Sequence, residues 1–322
     1  MQFRFVILGA GNIAGKFADA VTRIEDCMVT AVASKSLTRA EAFARNNGIG
    51  SAFDDYEKML KAERPDCAYI ATTCNSHPSL SALCVEHGVP VLCEKAMFSD
   101  GEQARSFFET AEQKGVFSME ALWSLFLPAN LMAREWVRSG RIGKPVCAGF
   151  DIGFVAQKDM GNRYYNPSLG GGAANDLTVY ALHLLPWLTD RQIEYMNASV
   201  MAAPSGVDET EMMLLTLSGG LTATVRSTLA SGMDERMELC GTRGRIVVPK
   251  PHMAKSAILF DSEGHQIERF DDTQTHNGFI YEVIEAVRSI RGGKLESPVI
   301  PHSATIQAAH FIQQLHKALP DR

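Results

Sequence analysis

A glycine-rich segment near the start of the chain has the spacing of a dinucleotide-binding turn. Residues 9–14 (Gly-Ala-Gly-Asn-Ile-Ala) follow an apolar run and precede a stretch with helical periodicity, in the pattern GxGxxA. The first glycine permits a tight turn, the second lets a pyrophosphate approach the backbone, and the helix N-terminus offers free N–H groups. A plain packing turn is the alternative, but the strand–turn–helix context favours dinucleotide binding. The predicted contacts here are Gly9, Gly11, Asn12 and Ile13.

The end of the second predicted strand indicates which dinucleotide binds. An NAD site usually has Asp or Glu about 20 residues after the glycines, where its carboxylate holds the ribose 2′-hydroxyl. Residues 29–39 contain no acidic residue, whereas Ser34, Lys35 and Arg39 supply a hydroxyl and two cations. Such side chains suit a 2′-phosphate. We therefore expect NADP rather than NAD, with a solvated basic loop as the alternative interpretation.

Four further side chains could carry proton chemistry. Lys95 follows an apolar run of strand length, and open α/β sheets bind ligands at the carboxyl ends of their strands. Asp176, Tyr180 and His183 are spaced i, i+4 and i+7, which predicts one face of a helix. Hydride removal from a carbinol carbon requires a base for the hydroxyl proton and a cation that favours the alkoxide. The alternatives are a surface lysine, a buried tyrosine with a satisfied hydroxyl, a core histidine and an N-cap aspartate.

Other polar and aromatic residues are weaker candidates. A polar stretch after the predicted strand at residues 67–71 either lines the ribose and pyrophosphate of the cofactor or forms an ordinary turn: Thr72, Thr73, Asn75 and His77. Trp123 either walls the nicotinamide pocket and contacts the substrate or packs the domain junction. Arg163, a candidate cofactor contact, and Asn166, a candidate substrate contact, lie in a loop that either reaches the site or stays solvated.

The elements that must position these residues alternate regularly over the first 120 residues. Strands that lack polar alternation and are separated by helices indicate a parallel sheet covered on both faces. We predict a doubly wound α/β Rossmann domain over residues 1–121. Its predicted strands are 3–8, 29–33, 67–71, 89–93 and 116–119, and its predicted helices are 11–22, 38–46, 56–61, 79–87 and 100–114.

The second half has strands joined by turns, which predicts an antiparallel sheet. Residues 218–220 (Ser-Gly-Gly) form a hairpin turn between two such strands. We predict an α+β domain over residues 122–322 with a large, mostly antiparallel sheet and a C-terminal helix that packs back on the first domain. Its predicted strands are 146–154, 214–217, 221–225, 237–239, 245–248 and 257–260, and its helices are 128–139, 279–291 and 303–319.

The composition excludes several classes of protein. The 322 residues carry a formal net charge of −6, which does not suit a generally basic nucleic-acid footprint. No apolar run approaches the roughly 18 residues of a membrane span. The seven cysteines form no CxxC pair and no zinc-type spacing, so we expect reduced thiols and no metal. Since the start lacks a signal-peptide pattern, we expect a cytoplasmic protein with neither nucleic-acid nor membrane partners.

Residues 91–95 (Val-Leu-Cys-Glu-Lys) include the end of a predicted strand, and residues 170–180 run from a glycine triplet to Tyr180. The first segment is similar to the hallmark at the end of the fifth strand, and the second to the second-domain active-site helix, of the glucose–fructose oxidoreductase / inositol dehydrogenase / MocA family. Residues 119–128 are similar to the dimeric dihydrodiol dehydrogenase branch, and the resemblance continues at 143–145 and 292–298. It spans nearly the whole chain. Ala96 departs from the family, which usually has proline there.

The resemblance implies an NADP-dependent oxidoreductase acting on an aldopyranose, another cyclic polyol or a trans-dihydrodiol. It implies that Tyr180 is the acid/base and that Lys95 favours the ionised tyrosine and hydrogen-bonds the substrate oxygen. Asp176 would orient Lys95 or a substrate hydroxyl, His183 would assist or replace Tyr180, and Glu94 would contact the cofactor. The resemblance also implies a homodimer formed through the second-domain sheet and a small, carbohydrate-like substrate.

Two other functions remain open. One is a different enzyme of the same family, namely an NAD-linked inositol or amino-sugar dehydrogenase or an imine or biliverdin-type reductase. The other is a non-catalytic protein that senses a dinucleotide and controls a partner. Lys95, Asp176 and Tyr180 argue against the sensor, because a sensor needs only the cofactor half.

Overall fold

The computed structural model describes residues 2–319. The strands are β1 (Phe3–Leu8), β2 (Cys27–Ala33), β3 (Ser51–Phe53), β4 (Cys67–Ile70), β5 (Val91–Glu94), β6 (Ser118–Ala121), β7 (Pro145–Gly153), β8 (Ile193–Ala202), β9 (Asp208–Leu217), β10 (Leu221–Thr228), β11 (Arg236–Gly241), β12 (Gly244–Pro249), β13 (Ser256–Asp261) and β14 (Gln266–Asp271). The helices are α1 (Asn12–Thr22), α2 (Leu37–Asn47), α3 (Tyr56–Glu63), α4 (His77–Glu86), α5 (Gly101–Gln113), α6 (Pro128–Arg138), α7 (Val179–Thr189), α8 (Phe279–Arg291) and α9 (His302–Lys317). A π-helical segment, Ala174–Thr178, directly precedes α7.

The chain forms two compact units whose limits differ from the predicted domains. The first contains the residues up to Trp123 together with Asn277–Ile306, and the second contains Ser124–His276 and the residues from Gln307 onward. The first limit lies two residues beyond the predicted one. Residues 277–306 belong to the first unit rather than the second because α8 packs against α1. In the first turn of α9, the His302 ring lies 3.0 Å from the Ser118 carbonyl oxygen of β6.

The first unit contains a parallel sheet with the strand order β3-β2-β1-β4-β5-β6. Every neighbouring pair in it runs parallel. The central strands β4 and β5 are buried at every position, as expected for strands covered on both faces. This is the order of the classic dinucleotide-binding fold, whose ligand lies at the carboxyl ends of the strands where the order reverses. The predicted Rossmann architecture is therefore confirmed.

Three helices of this unit begin where a polar side chain can satisfy one of their first N–H groups. Ser36, Asp55 and Asp100 each accept from a backbone N–H three residues later, at the starts of α2, α3 and α5. Such caps contribute about 1 kcal/mol each. Helix α1 is different, because its N-cap residue is Gly11 and no side chain among residues 2–319 caps it.

The second unit contains a large sheet with the order β14-β13-β12-β11-β7-β10-β9-β8. Its neighbours are antiparallel except β7 and β10, which run parallel. Buried and exposed residues alternate along β10, so one face of the sheet packs on the core and the other is open. The predicted mostly antiparallel sheet is confirmed.

Strands β3, β8 and β14 were not predicted. Each lies at an edge of its sheet. Strand β3 has only three half-buried residues, and most residues of β8 and β14 are partly or fully exposed. Edge strands of this kind lack the apolar pattern by which a strand is recognised in sequence. Within residues 2–319, no helix has the length and apolar character needed to cross a membrane.

Candidate functional site

The glycine-rich turn places Gly9 where no other residue fits. Its φ is +108°, its N–H donates to the Ala33 carbonyl at 2.8 Å, and a Cβ built on it would lie 2.7 Å from the Ala71 carbonyl oxygen. An L-residue rarely adopts this backbone conformation, and the overlap would be with backbone that cannot rotate away. The first glycine of the motif is therefore required by the turn itself.

Gly11 differs from Gly9 in its surroundings. Its backbone is extended, and a Cβ there would meet only the Ala71 carbonyl oxygen, at 4.0 Å. Asn12 beyond it is exposed, and Ile13 is partly exposed. The N-terminus of α1 thus combines free backbone N–H groups with open space above the turn, which fits a pyrophosphate. The residues of the turn suit a dinucleotide, as predicted.

The end of β2 brings a cation to this turn. Arg39 in α2 is exposed, and its Nε donates to the Ala10 carbonyl at 3.3 Å. Ser34, at the strand end, is buried, whereas Lys35 beside it is exposed. Arg39 therefore contacts the glycine turn directly, and Ser34 follows Ala33, whose carbonyl accepts from the Gly9 N–H.

The turn after β4 consists of side chains that hydrogen-bond one another. Thr73 Oγ1 donates to Asn75 Oδ1 at 2.7 Å, and Ser76 Oγ donates to Thr72 Oγ1 at 2.9 Å. His77 differs from the other predicted contacts in this turn, because only 1% of it is exposed. Its Nδ1 lies 2.8 Å from the Ala96 carbonyl and its Nε2 lies 3.2 Å from the Thr72 carbonyl. Burial lowers the pKa of this histidine, so the neutral ring donates to one of these carbonyls.

The backbone that follows Lys95 is held from two sides. Besides the His77 contact to Ala96, the Met97 N–H donates to Oε1 of Glu120 at 2.9 Å. Oε2 of the same carboxylate accepts from the Thr305 hydroxyl at 2.8 Å. The Lys95–Ala96 peptide bond is cis. Lys95 itself is half-buried at the carboxyl end of β5. Neither the positioning contact of His77 nor Glu120 was predicted, although an acid in the buried strand β6 is a recognisable signal.

Glu94 lies in a buried polar cluster under the same strand end. Its carboxylate accepts from the Tyr69 hydroxyl at 2.5 Å, and the Tyr69 ring stacks on Phe17 with 3.6 Å between centroids. Glu282 of α8 is fully buried nearby, and burial, together with the charge of Glu94, raises its pKa well above the usual range. Burial and the charge of Glu94 both favour the protonated form of Glu282. Glu94 contacts this cluster, and its predicted contact with the cofactor stays a prediction.

Trp123 is the last residue of the first of the two chain segments that form the first unit, and its ring stacks on Phe279 at the start of α8. The centroids are 5.1 Å apart and the planes are inclined by 19°. Trp123 is only partly buried, so one side of the aromatic pair is open to solvent. Phe279 was not predicted as a site residue, since an apolar residue at a helix start is ordinarily a core residue.

In the second unit, the proposed acid/base residues occupy two kinds of helix. Tyr180 and His183 lie in α7 and are 8% and 3% exposed. Asp176 lies inside the π-helical segment, where hydrogen bonds span five residues, so the i+4 rule for an α-helical face does not apply to it. Nor is Asp176 an N-cap, because the segment begins after Ala173. The Tyr180 ring contacts His252, which was not predicted, with 5.5 Å between centroids.

The loop before the glycine run brings Arg163 to Asp176. The guanidinium donates to Asp176 Oδ1 at 3.0 Å and lies over the Tyr164 ring at 4.1 Å. Asn166 instead serves its own loop, because its Oδ1 accepts from the Ser168 N–H and its Nδ2 donates to the Met160 carbonyl. The structure therefore joins two of the predicted residues in an ion pair.

No group of three or more His, Cys, Asp or Glu side chains within residues 2–319 has an arrangement that could hold a metal ion.

Two family models match the chain. A model described as an oxidoreductase family with an NAD-binding Rossmann fold matches residues 3–121, and a model of the GFO/IDH/MocA C-terminal domain matches residues 130–247. The trans-1,2-dihydrobenzene-1,2-diol dehydrogenase of Mus musculus is 30% identical over 331 residues, with 99% of this chain and 97% of that protein covered. The enzyme of the same name from Xenopus tropicalis is 27% identical, with 93% of each chain covered.

Solved structures agree with this fold. An aldose–aldose oxidoreductase from Caulobacter crescentus superposes with a TM-score of 0.89 at 20% identity, covering 99% of this chain and 98% of that one. A 3-ketoreductase from Actinomadura kijaniata, solved with NADP and TDP-benzene, has a TM-score of 0.88 at 21% identity and the same coverage. With its dinucleotide turn, both family domains and full-length relatives in agreement, the chain belongs to the GFO/IDH/MocA family of oxidoreductases with an NAD(P)-binding Rossmann fold.

Proposed function

We propose that this oxidoreductase uses NADP to oxidise a carbinol carbon of a cyclic polyol, an aldopyranose or a trans-dihydrodiol, or catalyses the reverse reduction. The observation that carries this proposal is the full-length similarity to trans-1,2-dihydrobenzene-1,2-diol dehydrogenases. Their substrate is a cyclic compound with two adjacent hydroxyl groups, as their name states. The sugar-acting enzymes among the structural neighbours share the fold.

The choice of NADP rests on the charges around the glycine turn. Arg39 contacts the turn, Lys35 is exposed just beyond the end of β2, and no acid occurs in residues 29–39 to hold a ribose 2′-hydroxyl. A 2′-phosphate offers several acceptor oxygens to these donors. When bound, the nicotinamide accepts or supplies the hydride.

Lys95 and Tyr180 handle the proton in this proposal. Lys95 donates a hydrogen bond to the substrate oxygen and favours the alkoxide by its charge, and Tyr180 takes the hydroxyl proton. Asp176 orients Lys95 or a second substrate hydroxyl, and its ion pair with Arg163 holds the carboxylate in one place. His183 is the candidate to replace Tyr180 as the base.

The remaining candidates form the surroundings of the reaction. Trp123 and Asn166 contact the substrate in this proposal, and the polar turn after β4 contacts the cofactor together with Glu94 and Arg163. The side-chain amide of Asn166 already makes hydrogen bonds within its own loop, so a contact with substrate would use its remaining hydrogen-bonding capacity.

We also propose a homodimer formed through the open face of the second-unit sheet. Four large apolar side chains on this face, from β8 and β9, are more than half exposed: Tyr195, Met201, Met212 and Leu214. The strand register aligns them on one side of the sheet. Exposed apolar patches of this kind mark interaction surfaces.

The cofactor assignment is tested by tryptophan fluorescence titration with NADPH and with NADH. We expect the wild type to prefer NADPH and Ser34→Asp to lose that preference, since a carboxylate there repels a 2′-phosphate. Arg39→Ala should weaken NADPH about 10- to 100-fold, as expected for a lost charge-assisted hydrogen bond, and leave NADH unchanged. The matched control is Arg45→Ala, an exposed arginine in the last turn of the same helix. Equal affinity of the wild type for NADH would contradict the proposal and favour an NAD-linked dehydrogenase.

The reaction is tested by measuring reduction of NADP with trans-dihydrodiols, D-xylose and D-glucose. Turnover with any of them supports the proposed substrate class. Tight dinucleotide binding without turnover of these compounds, or of inositols and imines, would favour the non-catalytic sensor.

A further inference from the structure

Two carboxyl groups of β9 are buried beneath the segment that precedes α7. Asp208 is 1% exposed and Glu211 is fully buried. Asp208 Oδ2 accepts from the Ala174 N–H at 2.5 Å. Glu211 Oε2 accepts from the Thr178 hydroxyl and, at 2.9 Å, from the Ser227 hydroxyl. Because Ala174 and Thr178 are the first and last residues of the π-helical segment, the two carboxyl groups hold both of its ends.

The two carboxyl groups belong to one buried cluster, in which the charge of Asp208 acts on Glu211. The other oxygen of Glu211, Oε1, is buried, and no N–H or O–H group of residues 2–319 donates to it. An ionised Glu211 would therefore have a buried oxygen without a donor, which favours a proton on this carboxyl group. In a pair of neighbouring buried carboxyl groups, one group stays protonated because two negative charges would repel each other.

The surroundings place that proton on Glu211. Burial raises the pKa of Glu211 well above its usual range, and the charge of Asp208 raises it further. Burial also raises the pKa of Asp208, but His316 and the Ala174 N–H oppose this by favouring its carboxylate. His316 of α9, whose Nε2 lies 3.6 Å from Asp208 Oδ1, is the titratable group on that side of the pair. Strand β10 presents Ser227 to the pair, and the π-helical segment presents the Thr178 hydroxyl and a backbone N–H.

We propose that Asp208 and Glu211 are positioning residues, which share one proton and thereby hold the π-helical turn that carries Asp176 and leads into Tyr180. The proposal rests on the function proposed above for those two residues. π-Helical turns are rare, and those that occur often lie at functional sites.

The glycine before the segment agrees with this role. Gly172 has a φ of +121°, and a Cβ built on it would overlap with Oδ1 of Asp208. The chain therefore passes directly over the Asp208 carboxylate, which only a residue without a side chain can do. Gly171 is packed as closely, because its Cβ would lie 2.6 Å from the Arg163 carbonyl oxygen of the neighbouring loop.

The first test uses Glu211→Gln, which copies the protonated acid. The amide NH₂ can donate to Asp208, and the amide oxygen can accept from Thr178 and Ser227. A folded-state pKa raised above the unfolded value gives the wild type stability that is complete below the unfolded pKa and is lost as pH rises. Between about pH 5 and pH 8, the equilibrium constant for unfolding should therefore rise in the wild type relative to the variant, by up to tenfold per pH unit.

The control is Glu194→Gln, which removes an exposed carboxylate from the neighbouring strand β8. It should unfold with the same pH dependence as the wild type. If Glu211→Gln also unfolds with the same pH dependence as the wild type from about pH 5 to pH 8, the pair does not hold a proton and the proposal is overturned. The infrared band of a protonated carboxylic acid, present in the wild type at pH 7 and weakened in Glu211→Gln, checks the same point directly.

The second test separates positioning from a merely structural role. In Glu211→Leu, amide hydrogen exchange of residues 172–180 should accelerate, and kcat should fall about tenfold or more while NADPH affinity is retained. Glu211→Gln should restore both the exchange protection and kcat. Unchanged exchange in a folded Glu211→Leu protein would overturn the proposal. Should Glu211→Leu fail to fold, the pH dependence of Glu211→Gln still decides. Because exchange, infrared and unfolding need no turnover, failure of the proposed oxidoreductase reaction would be seen separately.

Discussion

Single residues at the glycine turn show how closely one side chain can be specified. Gly9 and Gly11 belong to the same motif, yet a Cβ at the first would strike the Ala71 carbonyl, whereas a Cβ at the second would meet open space. The first glycine is therefore required by the fold, and the second is proposed to leave room for the ligand. Lys95 shows the same division, since its own side chain is proposed for chemistry while His77 and Glu120 hold the backbone after it.

The two glycines predict different consequences of the same substitution. Gly9→Ala should lower the free energy of unfolding by at least about 1–2 kcal/mol, because a positive φ is strained for alanine and the Cβ overlaps with backbone. Gly11→Ala should unfold like the wild type but bind NADPH more weakly, since its Cβ occupies space above the turn. Thermal unfolding and fluorescence titration of both variants check this. A Gly11→Ala protein that binds NADPH normally would show that the dinucleotide does not approach this glycine.

Tyr180 and His183 can be distinguished by their hydroxyl and imidazole chemistry. Tyr180→Phe should lower kcat about 100- to 10,000-fold with little effect on NADPH affinity, because it removes only the proton-transferring group. His183→Gln should have a much smaller effect. Steady-state kinetics with NADP and a substrate found in the screen measure both. The opposite order of effects would make His183 the acid/base and Tyr180 a core aromatic residue.

Elements remote in sequence together fix the segment after β5. Helix α4 contributes His77, β6 contributes Glu120, and the first turn of α9 contributes Thr305. The family proline is replaced by Ala96, yet these contacts hold the carbonyl of Ala96 and the N–H of Met97. The backbone after Lys95 is therefore held by contacts from neighbouring elements rather than by a proline ring.

Removal of the Glu120 carboxylate should lower the stability of the protein. Glu120→Ala should destabilise the protein by about 2–4 kcal/mol, because it leaves the buried Met97 N–H and Thr305 hydroxyl without their acceptor. It should also lower kcat by moving the segment that carries Lys95. Denaturant unfolding and kinetics measure the two effects, with Glu109→Ala, an exposed acid of α5, as the control. A loss of stability without any loss of kcat would limit Glu120 to a structural role.

At the scale of the whole molecule, the sheet of the second unit leaves one face open. This face carries large apolar side chains as well as the Arg226–Asp151 ion pair, whose shorter contact is 2.6 Å. The chain as a whole carries a net charge of −6, so self-association must rely on apolar contact rather than on opposite net charges. These features together support the proposed homodimer.

A charge on this face should dissociate the dimer. Leu214→Glu places a carboxylate among the apolar side chains, where association would have to desolvate it. Sedimentation velocity should show a dimer for the wild type and a monomer for the variant. Ile284→Glu, which alters a similarly exposed residue on α8 of the first unit, should remain dimeric. A wild type that stays monomeric at all concentrations tested would overturn the proposed interface.

The fold and the cofactor turn could be predicted because their signals are local. Buried strands of parallel sheets have continuous apolar runs, and the glycines of the turn lie within three residues of one another. The edge strands β8 and β14 could not be predicted, because their residues are largely exposed and their pairing is decided by β9 and β13. Phe279 and His252 escaped prediction because their contacts, with Trp123 and Tyr180, join residues far apart in the chain.

The sequence by itself determined the Rossmann architecture, the dinucleotide turn, the lack of an acid at the end of β2 and the family of the chain. Only the tertiary structure decided that residues 277–306 join the first unit, that Asp176 lies in a π-helical turn, and that buried Asp208 and Glu211 hold that turn. The physical reason is the range of the interactions. Periodicity and turn chemistry act between near neighbours, whereas burial, ion pairing and shared protons depend on groups that only folding brings together.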